Sequence, residues 1–135
     1  MNFDIPELEI FGVYDRGEPN KERIVLRANL ETNLSTYCLV LGFTGGSSNI
    51  IFPIADHFLW LGNTIVAKNA WVFIFTGPGM STVTQEENTK DPAHNIFWNK
   101  KNVVLDTLDL TPALLKINTV LIAGVNKNIN ELVAV

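Results

Sequence analysis

The stretch Ala70-Trp71-Val72-Phe73-Ile74-Phe75-Thr76-Gly77-Pro78-Gly79 decides the fold class. From Trp71 to Phe75 every residue is β-branched or aromatic. Such side chains suit a pleated, packed surface. The run is too short for a buried helix and stops at Gly-Pro-Gly, where regular structure ends. Working outward, the same grammar recurs. Ile24, Leu26 and Ala28 alternate with Arg23, Val25 and Arg27, the two-residue period of a strand with one wet face. Leu8, Ile10 and Gly12 against Glu9, Phe11 and Val13 begin an earlier strand, and Thr36 to Phe43 reads as one that is apolar on both faces. Ile50 to Ile54 and Phe58-Leu59-Trp60-Leu61 read as two short strands, with Pro53 marking an edge or an end. Thr64 to Ala67 is fenced by Gly62-Asn63 and Lys68-Asn69.

The connections are polar. Asp15 to Asn20, Asn29 to Ser35 and Thr44-Gly45-Gly46-Ser47-Ser48-Asn49 carry turn chemistry. Residues 80–95 are polar and aperiodic, and read as an exposed, mobile loop. Ile96-Phe97-Trp98 and Val103-Val104-Leu105 read as a hairpin around Asn99-Lys100-Lys101-Asn102. Asp109 to Lys116 is ambiguous, because Thr111-Pro112 also suits the opening of one helical turn. Val120 to Ala123 and Glu131 to Val135 read as closing strands. Turn signals every 8–12 residues or so predict an all-β sandwich or barrel with little or no helix. One domain is expected over residues 1–135.

Composition narrows the function classes. The chain is 47% hydrophobic and only 18% charged, which excludes a disordered or highly charged tail protein. Its net charge of −4 repels a phosphate backbone, and Lys100-Lys101 is its only adjacent basic pair, so no nucleic-acid partner is expected. The lone cysteine, Cys38, sits in an apolar run and reads as an inert buried thiol. No internal disulfide can form, which suits a reducing compartment. The N-terminus lacks a signal-peptide pattern, and no apolar run reaches the ~18 residues of a membrane helix. A cytoplasmic protein without a membrane partner is the expectation.

Chemistry-bearing patterns are weak throughout. Asp56-His57, His94 and Cys38 are the possible metal ligands, and none are spaced to share a helix face. Gly45-Gly46-Ser47-Ser48 lacks the Gly-x-Ser-x-Gly elbow of a hydrolase. Asp106 and Asp109 lack the alternating acids of a calcium loop. No metal, cofactor or catalytic residue is therefore expected, and the chain reads as a non-enzyme.

Two segments resemble a known family. Glu22-Arg23-Ile24-Val25-Leu26-Arg27-Ala28-Asn29 followed by Asn33-Leu34-Ser35-Thr36-Tyr37-Cys38-Leu39 resembles the signature of the lamin-tail domain. Phe52-Pro53, Ala67 to Ile74 and Thr76-Gly77-Pro78-Gly79 fall where that family has a Phe-Pro, a turn and a strand ending in glycine. Thr36 stands where the family has glycine, and Lys68-Asn69 where it has Pro-Gly. Over about residues 8–123 the resemblance implies an immunoglobulin-like β-sandwich of roughly nine short strands. It also implies an interaction module that brings no catalytic residues.

The apolar faces point to a partner. A two-sheet sandwich buries one face of each sheet, so its strands should alternate. Residues 37–43, 71–75 and 120–123 are apolar on both faces. Either Val72 and Ile74, or else Phe73 and Phe75, are left without an inner core, and no apolar loop is in sight to cover them. The expected interface is Trp71, Val72, Phe73, Ile74 and Phe75, with Phe58 and Trp60, and the expected occupant is a second copy or a partner protein. Two alternatives stay open. One is a small-ligand or carbohydrate binder using Phe58, Trp60, Trp71 and Trp98. The other is a component of a bacterial or phage assembly.

Overall fold

A computed structural model describes residues 4–44 and 51–124. It is an all-β protein of sandwich type, with ten strands and one 3-10 turn, at Leu34–Thr36, among the described residues. The strands are β1 (Leu8–Tyr14), β2 (Arg23–Ala28), β3 (Thr32–Asn33), β4 (Tyr37–Phe43), β5 (Phe52–Trp60), β6 (Ile65–Val66), β7 (Trp71–Phe75), β8 (Thr82–Gln85), β9 (Pro92–Phe97) and β10 (Leu110–Lys116). They form a five-stranded sheet of order β1-β2-β7-β9-β8, a three-stranded sheet β10-β4-β5 and a two-stranded ribbon β3-β6.

The main core lies between the two larger sheets. Ile24, Leu26 and Ala28 of β2 and Val72 and Ile74 of β7 meet Tyr37, Leu39 and Leu41 of β4. The alternation read in the sequence for β2 is thus the alternation that packs. Each large side chain buried here contributes about 1.5–3 kcal/mol relative to an exposed one.

The five-stranded sheet is mixed. β7 and β9 run parallel, while β8 pairs antiparallel with β9. The chain leaves β7, crosses over the end of β9, descends as β8 and returns through Glu86–Asp91 as β9. The crossing is tight at Gly79, where a Cβ would lie 2.4 Å from the Phe97 ring.

Several expectations are corrected. Residues 80–95 are not a loop but β8, a turn and the first part of β9. Their polarity belongs to an outward face, where Asn95 donates to the hydroxyls of Thr82 and Thr84 at 3.2 and 3.0 Å. No hairpin joins 96–98 to 103–105, because β9 ends at Phe97 and Val103-Val104-Leu105 forms no strand. Instead the backbone N–H groups of Val104 and Leu105 bond the Glu22 carboxylate at 2.7 and 3.0 Å. Leu110–Lys116 is a strand along β4 with no helical turn, its Pro112 sitting at the sheet edge. The two short strands expected around Phe52 and Trp60 are one, β5, whose pairing with β4 shifts register between Val40 and Gly42. Val120 to Ala123 is irregular and exposed instead of strand. Glu131 to Val135 and the Gly45-to-Asn49 turn lie outside the described residues.

Candidate functional site

The outer face of the five-stranded sheet carries the aromatic row of β7. Cross-strand register puts Val25, Trp71, Phe73, Phe75, Ala93, Asn95 and Phe97 on this side, with Val72 and Ile74 in the inner core. The chain covers part of this face itself, against the expectation that no segment could. A bulge in β1 between Ile10 and Gly12 turns Phe11 outward. Its ring meets Trp71 edge-on at 5.0 Å. The Arg27 guanidinium stacks 4.1 Å from the Trp71 ring and pairs with Asp91 at 3.0 Å. Trp71 Nε1 donates to Thr89 Oγ1 at 2.9 Å, so the β8–β9 turn closes the remaining side. Trp71 is left 8% exposed, in a satellite cluster with Val25 and Ala93. Further along, Phe75 stacks on Phe97 at 5.1 Å and Arg23 lies over Phe75 and Tyr14. The covering groups are the Phe11 ring, two arginines and a polar turn, none of which reads as an apolar lid in the sequence.

The outer face of the three-stranded sheet is different. Leu39, Leu41, Leu59 and Leu114 point into the core, so their strand neighbours point away. Register aligns these neighbours in two rows across the sheet, Leu115–Cys38–Trp60 and Ala113–Val40–Phe58. All six are apolar, and none belongs to either core cluster. Phe58, Trp60 and Leu115 are 44%, 52% and 43% exposed. Trp60 is held in place by its Nε1, which donates to the Ser35 carbonyl at 2.8 Å. Burial pushes the Cys38 thiol up from its ordinary pKa, away from the activated range of a nucleophilic cysteine.

A cleft of about 400 Å³ opens beside β5, lined by Phe43, Asp56, His57, Lys100 and Asp106 among others. His57 Nδ1 lies 3.2 Å from an Asp56 oxygen but makes no hydrogen bond. Lys100 Nζ donates to the Asp56 carbonyl at 2.6 Å. Acids and lysines share this lining. His94 is elsewhere, paired with Val72 and Val83 across the five-stranded sheet, and burial lowers its pKa. Among the described residues no three His, Cys, Asp or Glu side chains gather as a metal site. The four aromatics proposed for ligand binding do not converge. Phe58 and Trp60 are on one outer face, Trp71 is on the other, and Trp98 packs on the main core.

Two polar constellations escaped the sequence reading. Buried Glu22 accepts hydrogen bonds from the Thr76 hydroxyl and from the backbone of Gly17, Val104 and Leu105. Glu7 accepts from the Tyr37 hydroxyl and from Lys116 Nζ, the latter at 2.7 Å. The Lys116 bond first, then that of Tyr37, holds the Glu7 carboxyl down at about 2. Burial first, then Glu7, raises the Tyr37 phenol. Each joins residues far apart in the chain, with no local spacing to betray it. No helix among the described residues is long and apolar enough to cross a membrane. No family model, curated protein or solved structure matches the chain, and the lamin-tail resemblance rests on the quoted residues alone.

Proposed function

We propose that the protein is a non-catalytic interaction module that self-associates through the outer face of its three-stranded sheet. One observation carries this reading. The five-stranded sheet has a cover of its own on its outer face, while on the three-stranded sheet Phe58, Trp60 and Leu115 stay substantially exposed around a buried Val40. An apolar sheet face of this kind marks a contact surface. Of the residues singled out in the sequence, Phe58 and Trp60 carry the contact; Trp71 to Phe75 serve the chain's own packing. The lamin-tail resemblance points the same way. The scatter of Phe58, Trp60, Trp71 and Trp98 supports this reading over a small-ligand or carbohydrate binder. The half-buried thiol of Cys38 is consistent with a reducing, cytoplasmic setting.

The test is sedimentation of the full chain from low to high micromolar concentration, with Phe58→Lys alongside. The wild-type chain sediments above monomer mass and Phe58→Lys as a monomer with an unchanged circular dichroism spectrum. A wild-type monomer over the whole range overturns the reading.

A further inference from the structure

The segment that follows β10 is the least satisfied part of the described chain. Ile117 N–H still bonds the Thr36 carbonyl at 2.7 Å. Beyond it, Val120, Leu121 and Ile122 have the residues of a strand, yet form none and are 67%, 98% and 80% exposed. A strand needs an edge to bond to, and the fold presents four outer edges on its two larger sheets.

Three of these edges are blunted. β1 carries the bulge between Ile10 and Gly12. β8 is short and polar, Thr-Val-Thr-Gln. β10 holds Pro112, which withholds a backbone donor. Bulges, short strands and proline are the usual guards against edge pairing. β5 has its guards, Pro53 and the register shift, at its first half only. Its last residues, Phe58-Leu59-Trp60, form a regular apolar edge.

The segment cannot use that edge in its own copy. β10 and β5 lie on opposite sides of β4. Reaching the far side of β5 means crossing three strand spacings, about 14 Å, which consumes at least four residues at about 3.3–3.6 Å each. Starting from Ile117, those residues include Val120 and Leu121 themselves. An edge on a neighbouring molecule is not subject to this limit.

Building on the self-association reading, we propose that Thr119–Ala123 of one copy adds as a strand to the free edge of β5, at Phe58–Trp60, in a second copy. Side chains alternate along a strand, so Val120 and Ile122 share a face. On the outer side they extend the two apolar rows by one strand. Main-chain bonds supply affinity and the rows supply selectivity, as in other strand additions. Donor and acceptor are different surfaces, so every contact joins the segment of one copy to the β5 edge of another, whether two copies exchange strands reciprocally or the contact repeats head to tail.

Two single-site variants of the full chain test this. Leu121→Pro removes the donor strand and leaves the β5 edge intact. Phe58→Lys places a charge on the acceptor and leaves the donor intact. Both sites are exposed, and both variants should keep the wild-type circular dichroism spectrum. Each alone sediments as a monomer. Their equimolar mixture forms a species of twice the chain mass and nothing larger, because only one donor–acceptor pair exists in it. If Leu121→Pro assembles like wild type, the donor assignment is wrong while self-association stands. If the mixture stays monomeric although wild type assembles, the segment and the β5 edge are not donor and acceptor and the proposal fails. A monomeric wild type removes both this proposal and the reading beneath it.

Discussion

Glu22 shows how one side chain ties distant parts of this fold together. Its carboxylate holds the 15–22 turn through Gly17, the end of β7 through Thr76, and the 101–105 segment through Val104 and Leu105. Each buried donor left without a partner costs about 1–3 kcal/mol. Glu22→Ala should therefore lower stability by at least about 3 kcal/mol, read as a fall in the urea midpoint, with Glu22→Gln losing less. Gly42 is constrained by space. A Cβ there would lie 2.3 Å from the Phe52 carbonyl oxygen, on the strand paired alongside. Gly42→Ala must push the start of β5 away, at a cost of about 1–3 kcal/mol by thermal or urea denaturation. Gly42 sits inside an apolar run, two residues before the Thr44-to-Asn49 turn signal, so the close approach that requires it is invisible until β5 is placed.

At the scale of elements, the Glu7, Tyr37 and Lys116 cluster ties the chain just before β1 to β4 and β10. Glu7 titrates at about 2 in the fold against an ordinary 4.5. Its contribution is full above pH 4.5 and is lost as pH falls toward 2. His94 acts with the same sign. Burial lowers its pKa below 6.5, so stability is lost as protons bind on acidification below that value. The urea midpoint should fall with pH in two stages, and Glu7→Gln should flatten the lower one. The β8–β9 pair makes a second case. Its outward hydrogen bonds from Asn95 to Thr82 and Thr84 are neutral and partly buried. Asn95→Ala should speed hydrogen exchange of the β8 amides, with β2 and β7 amides little changed.

Across the whole molecule, stability and association divide between the two outer faces on the proposed reading. Trp71 is packed by Phe11, Arg27 and the β8–β9 turn. Trp71→Ala should cost about 3–5 kcal/mol of stability and leave the assembled mass unchanged where the protein stays folded. Phe58→Lys should do the reverse. A pair of measurements, denaturation and sedimentation, separates the face that stabilises from the face that associates.

The composition of each apolar run was enough to read an all-β chain, and the two-residue period of Arg23 to Ala28 named its core face correctly. Local chemistry supports those features, since β-branched and aromatic residues fit a pleated, half-buried surface, although Val103 to Leu105 and Val120 to Ala123 show that residue type alone does not make a strand. What covers Trp71 was not legible. It needed a bulge that rotates Phe11, an arginine laid flat on an indole, and a turn whose polar residues close one side. The polar 80–95 segment likewise read as loop, because its strand pairing is satisfied through Asn95 and two threonines facing outward. Partners of this kind are brought together by topology, and spacing along the chain carries no trace of them. That the chain packs the Trp71 face itself was therefore decided by the three-dimensional arrangement, although both faces were visible as surplus in the sequence.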